Sequence, residues 1–187
     1  MSLGVDVNTV NHSDDDQDAD GEQSALMIAC KNGHSAIVSR LIEVEGLDIN
    51  YEDELGYNAA NLACYNGSTE CVDILVQTDK VDWNKVDKKG RNPLFSAVES
   101  LVDYQHIGLE ELKTIVETLA RLEKEKFDGW NIPDEDGNTL IMFAMKNCFY
   151  SDTVGILLTC PRFDPSCRDT EGWSLVFRSI QRGDIGE

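Results

Sequence analysis

The 187 residues include 35 acidic and 16 basic side chains, which give a formal net charge of −19, and 41% of them are hydrophobic. So acidic a chain repels the phosphates of nucleic acids and the headgroups of anionic membranes, and favours a partner with a basic or mixed-charge surface. No apolar run approaches the roughly 20 residues of a membrane-spanning helix, and no signal peptide is recognisable at the start. We therefore expect one domain, located in the cytoplasm, the nucleus or both, that binds neither nucleic acid nor membrane.

Residues 1–20 contain six acids and no lysine or arginine. The acidic run over 14–20 predicts a solvated N-terminal segment that contributes solubility. Within this segment, Gly4-Val5-Asp6-Val7-Asn8 has the same form as Leu47-Asp48-Ile49-Asn50 and Val81-Asp82-Trp83-Asn84 further along the chain. We interpret it as the closing segment of a rudimentary earlier unit.

From residue 21 onward one pattern recurs: an acid, two variable residues, glycine, and then a small polar residue that leads an apolar run ending on a small residue. Copies begin at Asp53, Asp87, Asp134 and Asp169, and a degenerate copy covers residues 23–29. The closing small residues are Ala29, Ala63, Ala97, Ala144 and Ser179, at separations of 34, 34, 47 and 35 residues. A nearly fixed period of this length predicts a stack of repeated units.

Each copy predicts a turn followed by two helices. The Asp-x-x-Gly motif favours a tight turn because aspartate caps local amides and glycine accepts a positive φ. The small polar residues that follow suit the N-cap of a first helix, and they are Ser24, Asn58, Asn92, Thr139 and Ser174. An apolar stripe such as Ile37-Val38-x-x-Leu41-Ile42 then predicts a second helix.

These signals divide residues 21–187 into units at about 21–52, 53–86, 87–133 and 134–168, with a partial unit at 169–187. The third unit is 13 residues longer than the period, and we expect the extra residues to lengthen its two helices or the loop between them. They either pack locally or contact a partner. The last unit lacks a second helix, so we expect either a longer natural protein or an end that another molecule covers.

The pattern resembles that of the ankyrin repeat family, in which acid-x-x-Gly precedes Thr-Pro-Leu-His, alanine, Gly-His, a leucine-rich helix and Asp-Val-Asn. Residues 24–29 with Gly33-His34, and residues 90–97, carry the resemblance best. The histidine position differs in every unit, and holds Met27, Asn61, Phe95, Met142 and Phe177. The resemblance implies an all-α solenoid of stacked helix-turn-helix units with short β-hairpin fingers. It also implies that partners bind along the fingers and the concave side of the first helices.

Transferring the family's variable surface positions to this sequence gives a set of partner-binding residues. Tyr57 and Trp173 both follow a turn glycine, where packing does not require a large ring, and both residue types dominate binding hot spots. Lys88, Lys89 and Arg91 form a basic finger, which either docks an acidic peptide or a phosphate or faces solvent. The predicted partner-binding residues are Leu55, Tyr57, Tyr65, Lys88, Lys89, Arg91, Lys146, Trp173 and Arg182.

The sequence contains six cysteines and three histidines without a metal-binding or nucleophile motif. Cys30, Cys64 and Cys71 lie at apolar helical positions, which predicts reduced and buried thiols. Trp83 and Trp130 occupy the inward-facing position of the closing segments, which predicts a core location. We therefore expect no catalysis, no cofactor, no metal and no small-molecule substrate.

The leading hypothesis is a non-catalytic scaffold that binds another protein through its finger and concave surface. The alternative is a subunit that inhibits or activates a protein kinase or another enzyme, since short ankyrin stacks that resemble this one can inhibit or activate kinases. A third hypothesis, an enzyme with an unrecognised thiol site, requires a cysteine with thiolate reactivity at neutral pH.

Overall fold

A computed structural model describes residues 6–11, 22–103, 107–147, 151–164, 166–168 and 171–174. Eight helices lie within these ranges: α1 (Ala25–Lys31), α2 (Ser35–Leu41), α3 (Ala59–Tyr65), α4 (Thr69–Gln77), α5 (Pro93–Asp103), α6 (Leu109–Ala120), α7 (Leu140–Asn147) and α8 (Ser151–Leu158). Isolated antiparallel bridges join Val10 to Ser24 and Arg168 to Ser174. The predicted all-α repeat fold is confirmed, and none of the described helices combines the length and apolarity needed to span a membrane.

The helices pack in two rows. The first-row helices α1, α3, α5 and α7 pack side by side in chain order, and the second-row helices α2, α4, α6 and α8 do the same. Within each unit the first helix packs on the second. Ala29, Ala63, Ala97 and Ala144 are at most 3% exposed, so these small residues allow the close approach of first-row helices that the repeat predicted.

The starts of the first-row helices follow the predicted capping chemistry. The side-chain oxygens of Ser24, Asn58 and Asn92 accept hydrogen bonds from backbone N–H groups of the first helical turn, with N···O distances between 2.9 and 3.3 Å. Such caps satisfy amides that have no partner within the helix. Thr139 directly precedes α7, and its hydroxyl oxygen lies 3.5 Å from the Sγ atom of Cys167.

Each finger is a tight hairpin turn organised by its opening aspartate. In the second finger (53–57), Asp53 N donates to Tyr57 O at 2.9 Å. The Oδ1 atom of Asp53 accepts the backbone N–H groups of Leu55 and Tyr57, both at 2.9 Å. The third finger (87–91) and the fourth finger (134–138) repeat these bonds around Asp87 and Asp134.

Adjacent fingers are joined backbone to backbone. Lys88 N donates to Leu55 O at 3.0 Å, and Glu135 N donates to Lys89 O at 2.9 Å. Gly56 adopts a φ of +84°, and a Cβ atom there would lie 3.1 Å from the backbone of the third finger. Glycine at this position therefore allows both the tight turn and the close approach of the third finger. The two hydrogen bonds join the second, third and fourth fingers into one continuous surface.

Asparagine side chains link the closing segments of successive units. Asn50 Nδ2 donates to Lys80 O at 2.9 Å, and Asn50 Oδ1 accepts from Asp82 N at 2.9 Å. The same two bonds are made by Asn8 to Gly46 and Asp48, by Asn84 to Lys126 and Asp128, and by Asn131 to Arg162 and Asp164. One asparagine thus fixes each closing segment to the next.

Residues 6–11 make the kinds of hydrogen bond that join the later units, and the predicted boundary of the N-terminal segment at residue 20 stays a prediction. Asn8 makes the asparagine link described above. Asn11 N donates to Gln23 O at 3.0 Å, and Gln23 N donates to Asn11 Oδ1 at 2.6 Å, as in the second finger. Sequence reasoning missed this pairing because eleven residues separate Asn11 from Gln23, against three in the second finger. Residues 1–5 and 12–20 lie outside the described ranges.

In the longer third unit both helices are lengthened, which is one of the two alternatives that the sequence left open. Helices α5 and α6 have 11 and 12 residues, against 7 and 9 in α3 and α4. Ile107, in the connection between α5 and α6, is 3% exposed and packs against Gly67 of the second unit. The buried stripe of α6 contains Leu112, Ile115, Val116 and Leu119. The described part of the extra sequence therefore packs locally.

Trp83 and Trp130 lie in the core, as predicted, at 2% and 1% exposure. The Trp130 ring makes edge contacts with Phe127 and Phe163, with centroid separations of 5.0 and 5.2 Å. Arg162 lies over the same ring and donates to the carbonyl of Phe127 at 3.3 Å. This aromatic cluster joins the third unit to the fourth.

Candidate functional site

A cleft of about 240 Å³ lies between the fingers and the first-row helices of the first three units. We call it the finger cleft. Its apolar and aromatic lining consists of Leu55, Tyr57, Leu62 and Tyr65, and its charged lining consists of Lys31, Asp53, Lys89 and Glu99. At the base, Asn61 Nδ2 donates to Ser96 Oγ at 3.2 Å and ties α3 to α5. The cleft is therefore built across three successive units.

The apolar lining comes entirely from the second unit. Leu55, near the tip of the second finger, is 46% exposed. Tyr57 and Tyr65 are partly buried, and Leu62 is buried. These residues can take up an apolar side chain from another molecule.

The charged residues that remain partly exposed in the cleft are lysines. Lys31 ends α1 in the first unit, and Lys89 lies on the third finger with its side chain 53% exposed. The acids are buried and engaged: Asp53 holds the amides of its own finger, and Glu99 pairs with Arg91 and with Lys89 at 3.6 Å. The cleft lining therefore combines two lysines with two carboxylates.

Arg91 lies next to the finger cleft, with its side chain 11% exposed. Its guanidinium hydrogen-bonds Glu99, lies 3.8 Å from Asp134 Oδ2 through Nε, and sits 4.8 Å from the ring centroid of Phe143. The sequence predicted Arg91 as an anchor for a partner. Its charge is engaged by Glu99, which lines the cleft, and contact of Arg91 with a partner stays a prediction.

The pKa of the Tyr57 phenol is shifted by its surroundings. Burial, and then the carboxylates of Glu99 and Asp87, raises the pKa of the Tyr57 phenol above its ordinary value. The phenol therefore stays protonated across the physiological range, as a group that can donate a hydrogen bond.

The predicted site residues separate into those in the cleft and those elsewhere. Leu55, Tyr57, Tyr65 and Lys89 line it together. Lys88, Lys146 and Trp173 are exposed but do not line it, and Trp173 is 40% exposed on the fifth finger. Arg182 lies outside the described residues. Contact of each with a partner stays a prediction.

Sequence reasoning missed Lys31 as a site residue. Lys31, Tyr65 and Glu99 occupy the same position in three successive units, each two residues after the small alanine, and all three line the cleft. Lys146 holds this position in the fourth unit. The 34-residue spacing from Tyr65 was the signal that could have identified Lys31.

Two further depressions, of about 220 and 310 Å³, lie under loops that join the units. One of them contains Lys126 and Asp79, whose charged atoms pair with each other at 2.6 Å. Neither combines exposed aromatic rings with cations, so the finger cleft is the stronger candidate for recognition.

The cysteines that the structure describes have free thiols. Cys30, Cys64 and Cys71 are fully buried, as predicted. Burial raises the pKa of the Cys64 thiol, and a hydrogen bond with Cys71, followed by burial, raises the pKa of Cys30. Among the described residues, no three His, Cys, Asp or Glu side chains form a group that could hold a metal ion.

A model of ankyrin repeats in three copies matches residues 3–85 and 26–119 of the sequence. The matched segments together span more than half of the chain and include every residue that lines the finger cleft. No curated protein matches the sequence.

Proposed function

This chain belongs to the ankyrin-repeat family, whose members are generally protein-interaction modules, and from that premise we propose that it is a non-catalytic scaffold that binds another protein through the finger cleft. The observation that carries the proposal is the convergence of Leu55, Tyr57, Tyr65 and Lys89 in one cleft. Tyrosine is enriched among the residues that dominate binding energy, and partly buried rings lose little conformational entropy when a partner covers them.

The size of the finger cleft also favours a protein partner. Its volume of about 240 Å³ is below the roughly 300–1,000 Å³ of typical small-molecule sites. The space suits one or two side chains of a partner segment, while the continuous surface of the second to fourth fingers offers further contact area.

A regulatory subunit of a protein kinase or of another enzyme would use the same surface and would differ in its effect on the partner's activity. An assay of the captured partner with and without this chain separates regulation from scaffolding. We further propose that binding takes place in the cytoplasm or the nucleus, which the free thiols of the described cysteines support.

Site-specific photocrosslinking tests the proposed surface. A benzophenone side chain is placed at Leu55 or, as a control matched for exposure, at Ile37 on the second-row helix α2; these residues are 46% and 50% exposed. We expect a discrete crosslinked protein from cells when the probe is at Leu55 and none when it is at Ile37. Equal capture from both positions, or no capture from Leu55, contradicts the proposal.

Alanine variants then test the contribution of individual residues. We expect Leu55→Ala and Tyr65→Ala each to weaken binding of the captured protein about tenfold, because each truncates a side chain that lines the cleft. Ile37→Ala should leave affinity unchanged. Thermal unfolding of each variant separates a loss of contact from a loss of folding.

A further inference from the structure

We infer that the finger cleft takes one large, uncharged apolar side chain of a partner segment, and that the Tyr57 hydroxyl positions this segment by donating a hydrogen bond to one of its peptide carbonyls. This inference rests on the proposed function, since it specifies the partner segment for the same cleft. Its basis is that the charged groups of the lining already have partners within the protein, whereas the apolar side chains and the Tyr57 hydroxyl can still gain one.

The second unit provides the apolar surface for the anchoring side chain. Leu55 is 46% exposed, the rings of Tyr57 and Tyr65 are partly buried, and Leu62 completes the apolar lining. Covering these groups removes apolar area from water, which is the main favourable contribution in most associations. The cleft volume of about 240 Å³ suits a single leucine, methionine or phenylalanine side chain.

The two carboxylates of the lining are engaged within the protein. Asp53 Oδ1 accepts the backbone N–H groups of Leu55 and Tyr57, both at 2.9 Å, and Glu99 hydrogen-bonds Arg91. Asp53 and Glu99 are each 7% exposed. A basic side chain that enters the cleft would compete with cations already bound to Glu99 and would lose its own hydration, so it gains little.

The two lysines of the lining have partners as well. Lys89 Nζ lies 3.6 Å from Glu99 Oε1, and Lys31 has an interaction partner of its own. The two lysines and the two carboxylates of the lining have formal charges that sum to zero. An acidic side chain would approach Asp53 and Glu99 without meeting an unengaged cation among the lining residues. The cleft therefore disfavours an anchor of either sign.

The Tyr57 hydroxyl supplies the polar contact. The phenol is protonated at physiological pH, and its hydroxyl has no hydrogen-bond partner among the described residues. A partly buried donor gains most from an acceptor that a partner brings. The carboxylates of Glu99 and Asp87 act on the phenol and oppose an anionic acceptor, so a neutral peptide carbonyl fits best. Recognition sites commonly combine an apolar lining with a few polar groups that fix orientation.

NMR titration of the ¹⁵N-labelled full chain with four synthetic nonapeptides tests the inference. All have capped ends and flanks of serine and glycine, and their central residue is leucine, methionine, glutamate or lysine. We expect the leucine and methionine peptides to bind at least about tenfold more tightly than the other two. The amide signals of Leu55 and Tyr57 should shift, and that of Ile37 on α2 should not. Because the contact involves no charge on the peptide, affinity for the leucine peptide should change less than about twofold with added salt.

Variants of two tyrosines test the hydrogen bond. Tyr57→Phe removes the hydroxyl and keeps the ring, and it should weaken the leucine peptide about three- to tenfold. The methionine peptide should lose the same factor, since the hydroxyl contacts the peptide backbone and not the anchor. Tyr51→Phe makes the same change at a partly buried tyrosine outside the cleft lining, and it should leave affinity unchanged.

Three results would each overturn the inference. They are binding of the glutamate or lysine peptide as tight as that of the leucine peptide, equal affinities of Tyr57→Phe and the parent protein, and a leucine peptide at about 5 mM that shifts Leu55 and Tyr57 no more than Ile37. If the photocrosslinking probe at Leu55 still captures a protein in that case, the proposed function stands and only the ligand chemistry is wrong. If Leu55 captures nothing although the leucine peptide binds as expected, the inference stands and the proposed cellular scaffold is wrong.

Discussion

Arg91 of the third finger holds the carboxylate of Glu99 on α5, and the two side chains are 11% and 9% exposed. Glu99 is one of the residues that line the finger cleft, so the pair adjoins it. Glu99 Oε2 and Arg91 Nε lack further hydrogen-bond partners within the described protein atoms, so the two charges depend on each other. A buried charge that loses its partner is costly, because the interior solvates it poorly.

Arg91→Met should therefore lower the free energy of unfolding by about 3 kcal/mol, since among the described residues Glu99 then keeps only its longer ion pair with the half-exposed Lys89, at 3.6 Å. The double variant Arg91→Met with Glu99→Met replaces the ion pair with apolar side chains and should recover most of the loss. Urea denaturation followed by circular dichroism measures both values. A single variant as stable as the parent protein would contradict the coupling.

Gly56→Ala should destabilise the protein more than Gly46→Ala does. The two glycines have nearly the same φ, +84° and +82°, so both substitutions introduce the backbone strain of a positive φ, about 1 kcal/mol. A Cβ atom at position 56 also meets the backbone of the third finger at 3.1 Å, whereas nothing lies within 4 Å at position 46. We expect Gly56→Ala to lower the free energy of unfolding by about 1–3 kcal/mol more than Gly46→Ala does. Equal losses of unfolding free energy in urea denaturation would show that the third finger moves away from the new Cβ atom at no cost.

Asn84→Ala should weaken the junction between the second and third units. The substitution removes one bond to Lys126 O and one to Asp128 N, together worth about 1–2 kcal/mol. Hydrogen exchange at the Asp128 amide should accelerate more than exchange within α3. Asn32→Ala is the matched control, since the Asn32 amide donates to Ile28 O within its own unit, and it should leave the Asp128 amide unchanged.

Tyr57 should make stability fall at alkaline pH. Its phenol pKa is raised in the folded protein, so its contribution is fully present below the ordinary value of about 10 and is lost as pH rises through the folded pKa. Tyr57→Phe removes this ionisation. Urea denaturation of both proteins between about pH 8 and 11 should show a steeper decline for the parent protein; parallel curves would show that the phenol is not perturbed.

Cys30, Cys64 and Cys71 should react slowly with iodoacetamide at neutral pH, because all three thiols are fully buried. Cys167 is only partly buried and should react first among the cysteines that the structure describes. Mass spectrometry of timed digests gives the rate at each position. Rapid alkylation of a buried cysteine would revive the hypothesis of a thiol enzyme.

The repeat and its helices follow from local chemistry, which is why the sequence predicted them well. Asp53, Gly56 and Asn58 act on backbone atoms a few residues away, so their spacing already determines the turn and the helix start. The small residue at Ala63 likewise signals close helix packing wherever it recurs. Both kinds of signal survive even though the family's Thr-Pro-Leu-His core is altered in this chain.

The candidate site was predicted only in part, because exposure depends on contacts between units. Arg91 and Lys89 belong to the same basic finger in the sequence, yet only Lys89 reaches the surface, since Glu99 and Asp134 hold Arg91 inside. Asn11 and Gln23 pair across a long insertion that hides the finger pattern. Neither outcome is readable from one unit taken alone.

The asparagine links have a consequence for how such a chain can vary in length. Asn84 bonds to Lys126 and Asp128 across more than 40 residues, whereas Asn50 reaches the equivalent atoms across about 30, and the bonding is the same. The placement of one module against the next is thus set by a few hydrogen bonds at their boundary. It does not depend on the number of residues between the bonded positions. Evolution can enlarge a single module without shifting the alignment of its neighbours.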